Sequence, residues 1–484
     1  MKMKKLIYGI LLGTALLTGS CSDFTDVQPK GKNLLSTTDQ LEMLLNNEFQ
    51  ISSSDLHILC GDMIRSFSNV PTLINQPNKT RAAIIISWDE TNQDKMAELT
   101  SSDGDYSNCY SIIGKIANPI LSHIDAAEGD ETTKVKLKCE ALVLRAYFHW
   151  LLVNKFAKAY NPATAEQDPG IPYVTDEWDV SIPTEPVSVK KVYENILADL
   201  EKAIELNGLP TIAVNRMRMS KPCAYAAKAL ALISMQEFDL AAEAAREALA
   251  LNKTVNNYNE MTTTLTSKSG VKYPIIYRSI LKCEEDLFYT HYYENYNGIS
   301  PEAWNAFEEG HACRDKMSTD LLSNDNKPGI GMGSSMMGLP DYILTTDGNS
   351  GWNNCGMKTT HMYLIIAEAE IHNNNYKEAM KALDAIRINR IDPSVYAPLE
   401  GTVTTKEDAI YHLKQTSHGE NIYSYYNFMN RKRWNQVEGY KETLTRNIAG
   451  QIFTLAPDSP MWIFPFPQNA INSNPNLSQN YKTK

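Results

Sequence analysis

Aromatic side chains flanked by amides and carboxylates are the residues of this chain whose types are suited to ligand recognition. Trp88 begins the segment WDETNQD, which places Asp89 and Asn92 close to the indole ring. Such a ring stacks on the apolar face of a pyranose, while planar amides and carboxylates hydrogen-bond the sugar hydroxyls. Trp304, in GISPEAWN, and Trp352, in NSGWNN, have similar polar neighbours. We interpret these five residues as candidates for carbohydrate binding, with ordinary packing as the alternative for each.

A tyrosine cluster, FYTHYYENYNG (288–298), adds two further candidates. Tyr289, Tyr292, Tyr293 and Tyr296 are spaced i, i+3, i+4 and i+7. This spacing is typical of one helix face packed against a core. A ligand platform is the other interpretation, and under it Tyr292 and Tyr296 are the binding residues.

Sequence signatures of catalysis are missing. The chain contains no HExxH, no GxSxG and no Walker sequence, and its nine histidines are scattered. Carboxylates such as Glu308, Glu309 and Asp315 could form a glycosidase pair, but among 57 acidic residues such a pair has little specificity. We therefore expect a protein that is not an enzyme, with no catalytic residues, no cofactor and no metal.

Net charge and cysteine content exclude further classes. A net charge of −11 argues against nucleic acid as a partner, because that role needs concentrated cationic side chains. The eight cysteines are widely spaced and include no CxxC, so a zinc site or a disulfide framework is not indicated. Cys139 and Cys223 lie in apolar helical patterns and are predicted to be buried thiols. A single disulfide between Cys60 and Cys109 is an alternative that the sequence does not exclude.

The amino-terminal segment predicts export and anchoring. Lysines at positions 2, 4 and 5 precede an apolar run over 6–17 and three small residues at 18–20. This order predicts a signal peptide over residues 1–20. Cys21 follows directly, as in a bacterial lipoprotein, so we expect Cys21 to carry the lipid that anchors the chain to a membrane. A secreted protein without a lipid is the alternative.

Helical periodicity defines the elements that must position the candidates. Apolar residues recur along 136–156 and 189–206 as single stripes, and 220–252 divides into two helices near Gln236–Asp239. A similar pair occupies 361–387, and both pairs resemble tetratricopeptide repeats. The scaffold is predicted over about 115–252 and 358–390.

Long irregular insertions separate these helices. Residues 50–115 contain a β-like run over 81–88, and residues 254–357 are rich in Tyr, Asn, Gly and Ser. Residues 391–408 are loop-like. Because binding residues are often carried on loops held by rigid elements, we predict that the first two insertions bind the ligand.

Several motifs, taken in order, resemble the SusD/RagB family of outer-membrane lipoproteins. One departure is TSHGENIYSYYNFMNRKRW (416–434), which keeps only the final RKRW of its family counterpart, and another is Phe466 in place of Ile. The resemblance is carried by CSDFTDVQPKG (21–31), LRAYFHWLLVNKF (144–156), GIPY (170–173), RMSKPCAYAAKALAL (218–232), HMYLIIAEAEIHNNNYKEAMKALDAIRINR (361–390) and WIFPFPQNAINSNPNLSQN (462–480).

The resemblance implies a fold and a role. The fold would be a mainly α-helical SusD-like single domain over 21–484, with tetratricopeptide-like helix pairs as scaffold and a carboxy-terminal motif over 462–480. The role would be non-catalytic capture of a glycan at the cell surface and its delivery to a SusC-like TonB-dependent transporter of the outer membrane. Uptake of oligopeptides is the first alternative, and a surface glycoside hydrolase or a purely structural repeat scaffold is the second.

Overall fold

Most of the chain forms a mainly α-helical structure, as predicted. The computed structural model describes residues 35–51, 63–65, 70–175, 183–266, 272–276, 278–279, 281–290, 297–299, 301–320, 342–344, 353–422, 424–448 and 450–480.

The helices of the described residues range from one turn to more than seven. There are also two short π-helical segments: Ile113–Ala117 joins two α-helices, and Cys313–Met317 leads into a strand. The α-helices are α1 (Thr38–Leu45), α2 (Val70–Asn75), α3 (Arg81–Ser87), α4 (Gln93–Leu99), α5 (Gly104–Ile112), α6 (Asn118–His123), α7 (Glu131–Phe156), α8 (Val189–Leu206), α9 (Lys221–Ser234), α10 (Phe238–Leu251), α11 (Tyr258–Met261), α12 (Pro301–Asn305), α13 (Thr359–His372), α14 (Tyr376–Arg387), α15 (Lys406–Glu420), α16 (Tyr425–Trp434) and α17 (Gln468–Ser473).

Short strands form small antiparallel sheets between the helices. One sheet has four strands in the order β1-β7-β9-β8, and the others are the pairs β2-β3, β4-β5, β6-β10 and β11-β12. The strands are β1 (Met63–Arg65), β2 (Pro169–Pro172), β3 (Pro186–Ser188), β4 (Thr262–Thr266), β5 (Lys272–Ile276), β6 (Asp286–Phe288), β7 (Asn297–Ile299), β8 (Ser318–Asp320), β9 (Tyr342–Leu344), β10 (Met357–Lys358), β11 (Leu444–Ile448) and β12 (Gln451–Leu455).

Six helices form a continuous scaffold even though a long insertion separates them in sequence. Helices α7, α8, α9 and α10 pack in chain order, and α10 then packs against α13, which pairs with α14. The ring of Phe238 at the start of α10 stacks on His372 at the end of α13, with ring centroids 4.1 Å apart. The insertion over 254–357 therefore leaves the scaffold and returns to it without breaking the row of helices.

The two predicted helix pairs share one turn geometry. Gln236 between α9 and α10 has φ 65°, and Asn374 between α13 and α14 has φ 60°. Small buried residues such as Ala241 and Ala245 let the paired helices approach closely. These features agree with the predicted resemblance to tetratricopeptide repeats.

The predicted β-like run over 81–88 is wrong, because this segment is helix α3. Thr80 caps the helix, its hydroxyl accepting a hydrogen bond from the Ala83 amide at 3.2 Å. Residues 83–87 are all buried, so the helix has no polar stripe. A short apolar run that is buried on every side has no periodicity that separates helix from strand.

The larger of two hydrophobic clusters forms the main core of the described residues. It extends from Leu41 to Leu477 and includes the inner faces of the scaffold helices and the carboxy-terminal segment. Trp150, Trp434 and Trp462 belong to this core. The cysteines of the described residues are buried, which confirms the prediction of buried thiols at Cys139 and Cys223.

Candidate ligand-binding site

The two insertions predicted to bind ligand meet in one β-sheet. Strand β1, from the first insertion, pairs antiparallel with β7, from the second, so that Ile64 lies opposite Gly298. Strand β9 joins both β7 and β8 to complete the sheet. Helix α12, which carries Trp304, begins just after β7. The fold therefore brings two widely separated segments together beside one of the predicted binding residues.

Trp304 lies on a small hydrophobic cluster of its own. The cluster is formed by buried residues that include Tyr258 and Phe307, and Trp304 packs against it while partly exposed. The indole meets the Phe307 ring edge-on, with centroids 6.3 Å apart, and the Arg314 guanidinium lies 5.6 Å from the indole centroid. A partly exposed ring that is held by packing on one side has the properties of a stacking platform for a ligand.

Arg390 packs against this cluster through the ring of Tyr258. Its guanidinium lies 3.6 Å from the centre of the Tyr258 ring and donates hydrogen bonds to Glu285 and Glu420, at 2.8 and 3.1 Å. The Arg390 carbonyl also accepts a hydrogen bond from the Ala312 amide at 2.8 Å. Arg390 thus ties the end of α14 to residues of the insertion and of α15.

A second buried ion pair extends the network. Arg278 donates to the Asp286 carboxylate at 2.7 Å, and Lys358 donates to the Glu420 carbonyl at 2.8 Å. Burial would raise the pKa of Glu420, but Arg390 and Lys358 outweigh it and hold this pKa at about 2. Burial raises the pKa of Asp286, with Arg278 opposing it.

The network positions the second insertion on the scaffold. We name it the junction network and define it as Arg278, Glu285, Asp286, Lys358, Arg390 and Glu420. Buried ion pairs of this kind fix one geometry, since breaking one leaves a charge without compensation in a low-dielectric interior. Sequence reasoning missed these residues, because they are far apart in the chain. The available signal in the sequence was the acidic pair at 285–286, at the start of a short apolar run.

Trp88 lies in a different environment from Trp304. It follows the last residue of α3 in the left-handed conformation, with φ 49°, and is only 4% exposed within the main core. The Arg446 guanidinium lies 4.4 Å from its ring centroid and donates to the Ile86 carbonyl at 2.7 Å. The ring therefore packs between α3 and the β11-β12 hairpin and exposes no face to a ligand. A ligand-binding role for Trp88 stays a prediction.

Asp89 and Asn92 form a local turn beside Trp88. Asp89 accepts hydrogen bonds from the Thr91 amide at 3.2 Å and from the Asn92 side-chain amide at 2.8 Å. Burial acts to raise the pKa of Asp89, but hydrogen bonds from the Thr91 hydroxyl and the Asn92 side-chain amide outweigh it and lower the pKa. Both side chains are partly exposed, so their polar groups could still contact a ligand.

Four of the predicted residues lie outside the described part of the chain. They are Tyr292, Tyr296, Trp352 and the proposed anchor Cys21. Tyr289, which begins the predicted tyrosine stripe, directly follows strand β6 and is not helical. Its amide donates to the Arg216 carbonyl at 2.6 Å. The helical interpretation is therefore wrong at its first residue.

Two buried histidines, His149 in the scaffold and His311 beside the Trp304 cluster, are uncharged at neutral pH. Burial lowers the pKa of His149 to about 3 and that of His311 to about 4. Among the described residues, no group of three or more His, Cys, Asp or Glu side chains is placed to hold a metal ion. In the same part of the chain, no helix has the length and apolar character needed to cross a membrane.

A family model matches the amino-terminal part of the chain. The matched family, SusD-like_3, is described as "Starch-binding associating with outer membrane", and the match covers residues 23–232. No match was found among curated proteins.

Solved structures with the same fold cover nearly the whole chain. A SusD superfamily protein from Bacteroides thetaiotaomicron is 17% identical with a TM-score of 0.62, over 92% of this chain and 100% of the other. A SusD-like carbohydrate binding protein from Bacteroides vulgatus is 15% identical with a TM-score of 0.57, over 93% and 99%. Surface glycan-binding protein A from Bacteroides uniformis is 14% identical with a TM-score of 0.60, over 92% and 99%. The family match over residues 23–232 and the shared helical fold confirm the predicted resemblance to the SusD-like family.

Proposed function

We propose that this protein captures glycans at the cell surface and delivers them to a SusC-like TonB-dependent transporter. The observation that carries glycan binding is the partly exposed Trp304 ring, which packs on a small hydrophobic cluster and lies just after strand β7, where the two insertions pair. Aromatic faces and neighbouring polar side chains are the groups that bind pyranose rings and their hydroxyls. Two relatives with this fold are described as carbohydrate- or glycan-binding proteins, which supports the same ligand class.

Membrane attachment is the second part of the proposal. The matched family is described as associating with the outer membrane, and Cys21 directly follows the predicted signal peptide. A diacylglyceryl group on Cys21 together with an amide-linked acyl chain gives stable anchoring, since each buried methylene contributes about 0.8 kcal/mol. The anchored chain would then act as a lid on the extracellular face of its transporter.

A ligand panel tests the binding function. Isothermal titration of the wild-type protein against purified polysaccharides and against mixed oligopeptides should give saturable heat with at least one glycan. Heat with peptides alone would instead favour oligopeptide uptake. Release of reducing sugar by the purified protein would contradict a non-catalytic role.

Cell fractionation tests the anchor and the partner. Wild-type protein should sediment with outer membranes and, after mild detergent extraction, co-purify with a β-barrel transporter. Cys21→Ala should be released from the membrane fraction while it still binds the same glycan. Equal sedimentation of the variant and the wild type would contradict the lipid anchor.

A further inference from the structure

Among the described residues, the two most exposed large apolar side chains lie on the loop between α8 and α9. Ile212 is 77% exposed and Val214 is 85% exposed. Hydrogen bonds order this loop, since the Met217 amide donates to the Asn215 side-chain oxygen at 2.8 Å and the Lys221 amide donates to the carbonyl of residue 210 at 2.8 Å. The fold therefore holds two apolar side chains out in solvent on a fixed backbone.

Two further exposed apolar side chains lie on segments that this loop contacts. Arg218 donates to Glu42 of α1 at 2.9 Å, and the next residue, Met43, is 69% exposed. The Arg216 amide donates to the Leu281 carbonyl at 3.1 Å, and the Leu281 side chain is 45% exposed. Scattered apolar residues are ordinary on a protein surface, but a group on adjoining segments marks a contact surface. We name this group the apolar tip and define it as Met43, Ile212, Val214 and Leu281.

The apolar tip belongs to one end of the helical scaffold. Gly208, just before the loop, lies so close to Val135 near the start of α7 that a Cβ atom at this position would clash with it. Helix α9 begins at this end and runs about 20 Å to the opposite end, where α10 begins. Leu240, near the start of α10, is 51% exposed and provides a comparison at the opposite end.

The proposed membrane anchor reaches the protein at this same end. The described chain begins at Leu35, just before α1, and Leu35 follows Cys21 by 14 positions. A segment of this length spans at most about 50 Å when it is fully extended, whereas a compact domain of this size is about 60 Å across. A lipid on Cys21 therefore holds the end that carries α1 and the apolar tip toward the bilayer.

We propose that the apolar tip contacts the lipid surface of the membrane, with Ile212 and Val214 entering the boundary between head groups and acyl chains. This inference rests on the lipid anchor of the proposed function, because the anchor brings lipid, rather than a second copy or another protein, to this end of the chain. Apolar side chains gain free energy when they leave water. Four of them give weak and reversible binding, which orients an anchored chain without retaining one that lacks its lipid.

Vesicle binding by a chain without its lipid tests the apolar tip. The chain over residues 21–484 with Cys21→Ala is titrated with vesicles of phosphatidylethanolamine and phosphatidylglycerol up to high lipid concentration, and the bound fraction is measured by sedimentation. Ile212→Ser combined with Val214→Ser removes the two most exposed side chains of the tip. Leu240→Ser is the matched control, since it removes an exposed apolar side chain at the opposite end of the scaffold.

The expected result is weak binding that depends on the tip. We expect the Cys21→Ala chain to bind the vesicles, the double serine variant to bind at least about ten-fold more weakly, and Leu240→Ser to bind as the parent does. No vesicle binding by the parent, or an equal loss in Leu240→Ser, would overturn the proposal. Self-association of the parent that the double serine variant abolishes would assign the tip to a second copy and would overturn it too.

Two further measurements separate this inference from the proposed function. Glycan titration of the double serine variant should match wild type, which shows that the variant is folded. Cell fractionation of the lipidated wild type tests the anchor on Cys21 by itself. If the anchor holds and the vesicle assay fails, only the membrane contact of the apolar tip is wrong.

Discussion

Trp88 and Trp304 both have polar neighbours in sequence but lie in two different regions of the molecule. Each lies in one of the two predicted insertions, and each has an arginine guanidinium over its ring. Trp88 is enclosed by the main core, whereas Trp304 stands partly exposed on a separate small cluster. Flanking polar residues therefore do not separate a binding residue from a core residue. The two residues are distinguished by the packing around each ring, which the fold determines.

The two regions also differ in how they are held. The region around Trp88 is fixed by apolar burial between α3 and the β11-β12 hairpin. The region under Trp304 is fixed by the junction network, in which Arg390 joins Glu285 and Glu420. In an apolar core, the stability lost in a substitution grows with the volume that is removed. In a buried charge network, removal of one partner leaves the other charge without compensation and is strongly destabilising.

Removing the central cation of the junction network should have the largest effect. Arg390→Met leaves Glu285 and Glu420 buried without their shared cation. Because two carboxylates lose their partner at once, we expect the free energy of unfolding to fall by an amount near the upper end of about 3–5 kcal/mol. Urea denaturation measures this loss, and proteolysis should cut more readily within residues 254–357.

The control for this experiment is an exposed ion pair. Arg246 contacts Glu370 and its side chain is 52% exposed, so Arg246→Met should cost at most about 1 kcal/mol. Equal destabilisation by the two substitutions would contradict a special role for the junction network.

Trp88→Ala should rank next, because it removes a large buried side chain. We expect it to lower the free energy of unfolding by about 3–4 kcal/mol. Tyr411→Ala, at a residue that is 60% exposed, should change it by less than about 0.5 kcal/mol. If Trp88→Ala leaves stability intact and abolishes glycan binding instead, Trp88 belongs to the binding site and the contrast with Trp304 fails.

Acidification should weaken the region under Trp304 through His311. Burial, with a smaller contribution from Arg390, lowers the pKa of His311 from 6.5 to about 4. Between these pH values the unfolded chain binds a proton at His311 and the folded chain does not, so stability falls as pH falls from about 6.5 to about 4.

A histidine replacement isolates this contribution. His311→Gln cannot titrate, so the stability lost between pH 7 and pH 4.5 should be about 2 kcal/mol smaller in the variant than in wild type. Urea midpoints at the two pH values provide the comparison. Parallel pH profiles for the two proteins would show that His311 does not titrate on unfolding.

Helix pairing could be predicted from the sequence because its signal is local. The apolar stripe over 189–206 and the break near Gln236 depend only on neighbouring residues, and the structure places α8, α9 and α10 as expected. Helix α3 was missed because the run AAIIIS is buried on all sides and favours both helix and strand.

The candidate site could be predicted only in part, because its decisive contacts are long-range. The pairing of β1 with β7 and the position of Arg446 over Trp88 join residues that are far apart in the chain. The junction network likewise collects charges from four separate segments. A single sequence shows which charged side chains are present, but it does not show which of them are in contact in the folded interior.

The most direct test of the account is glycan binding by Trp304 variants. We expect Trp304→Ala to weaken the affinity for the best glycan of the panel at least about ten-fold and Trp304→Phe to restore part of it, since stacking is worth about 1 kcal/mol or more. The free energy of unfolding should change by only about 1 kcal/mol, because the ring is partly exposed. Unchanged glycan affinity in Trp304→Ala would contradict the central claim.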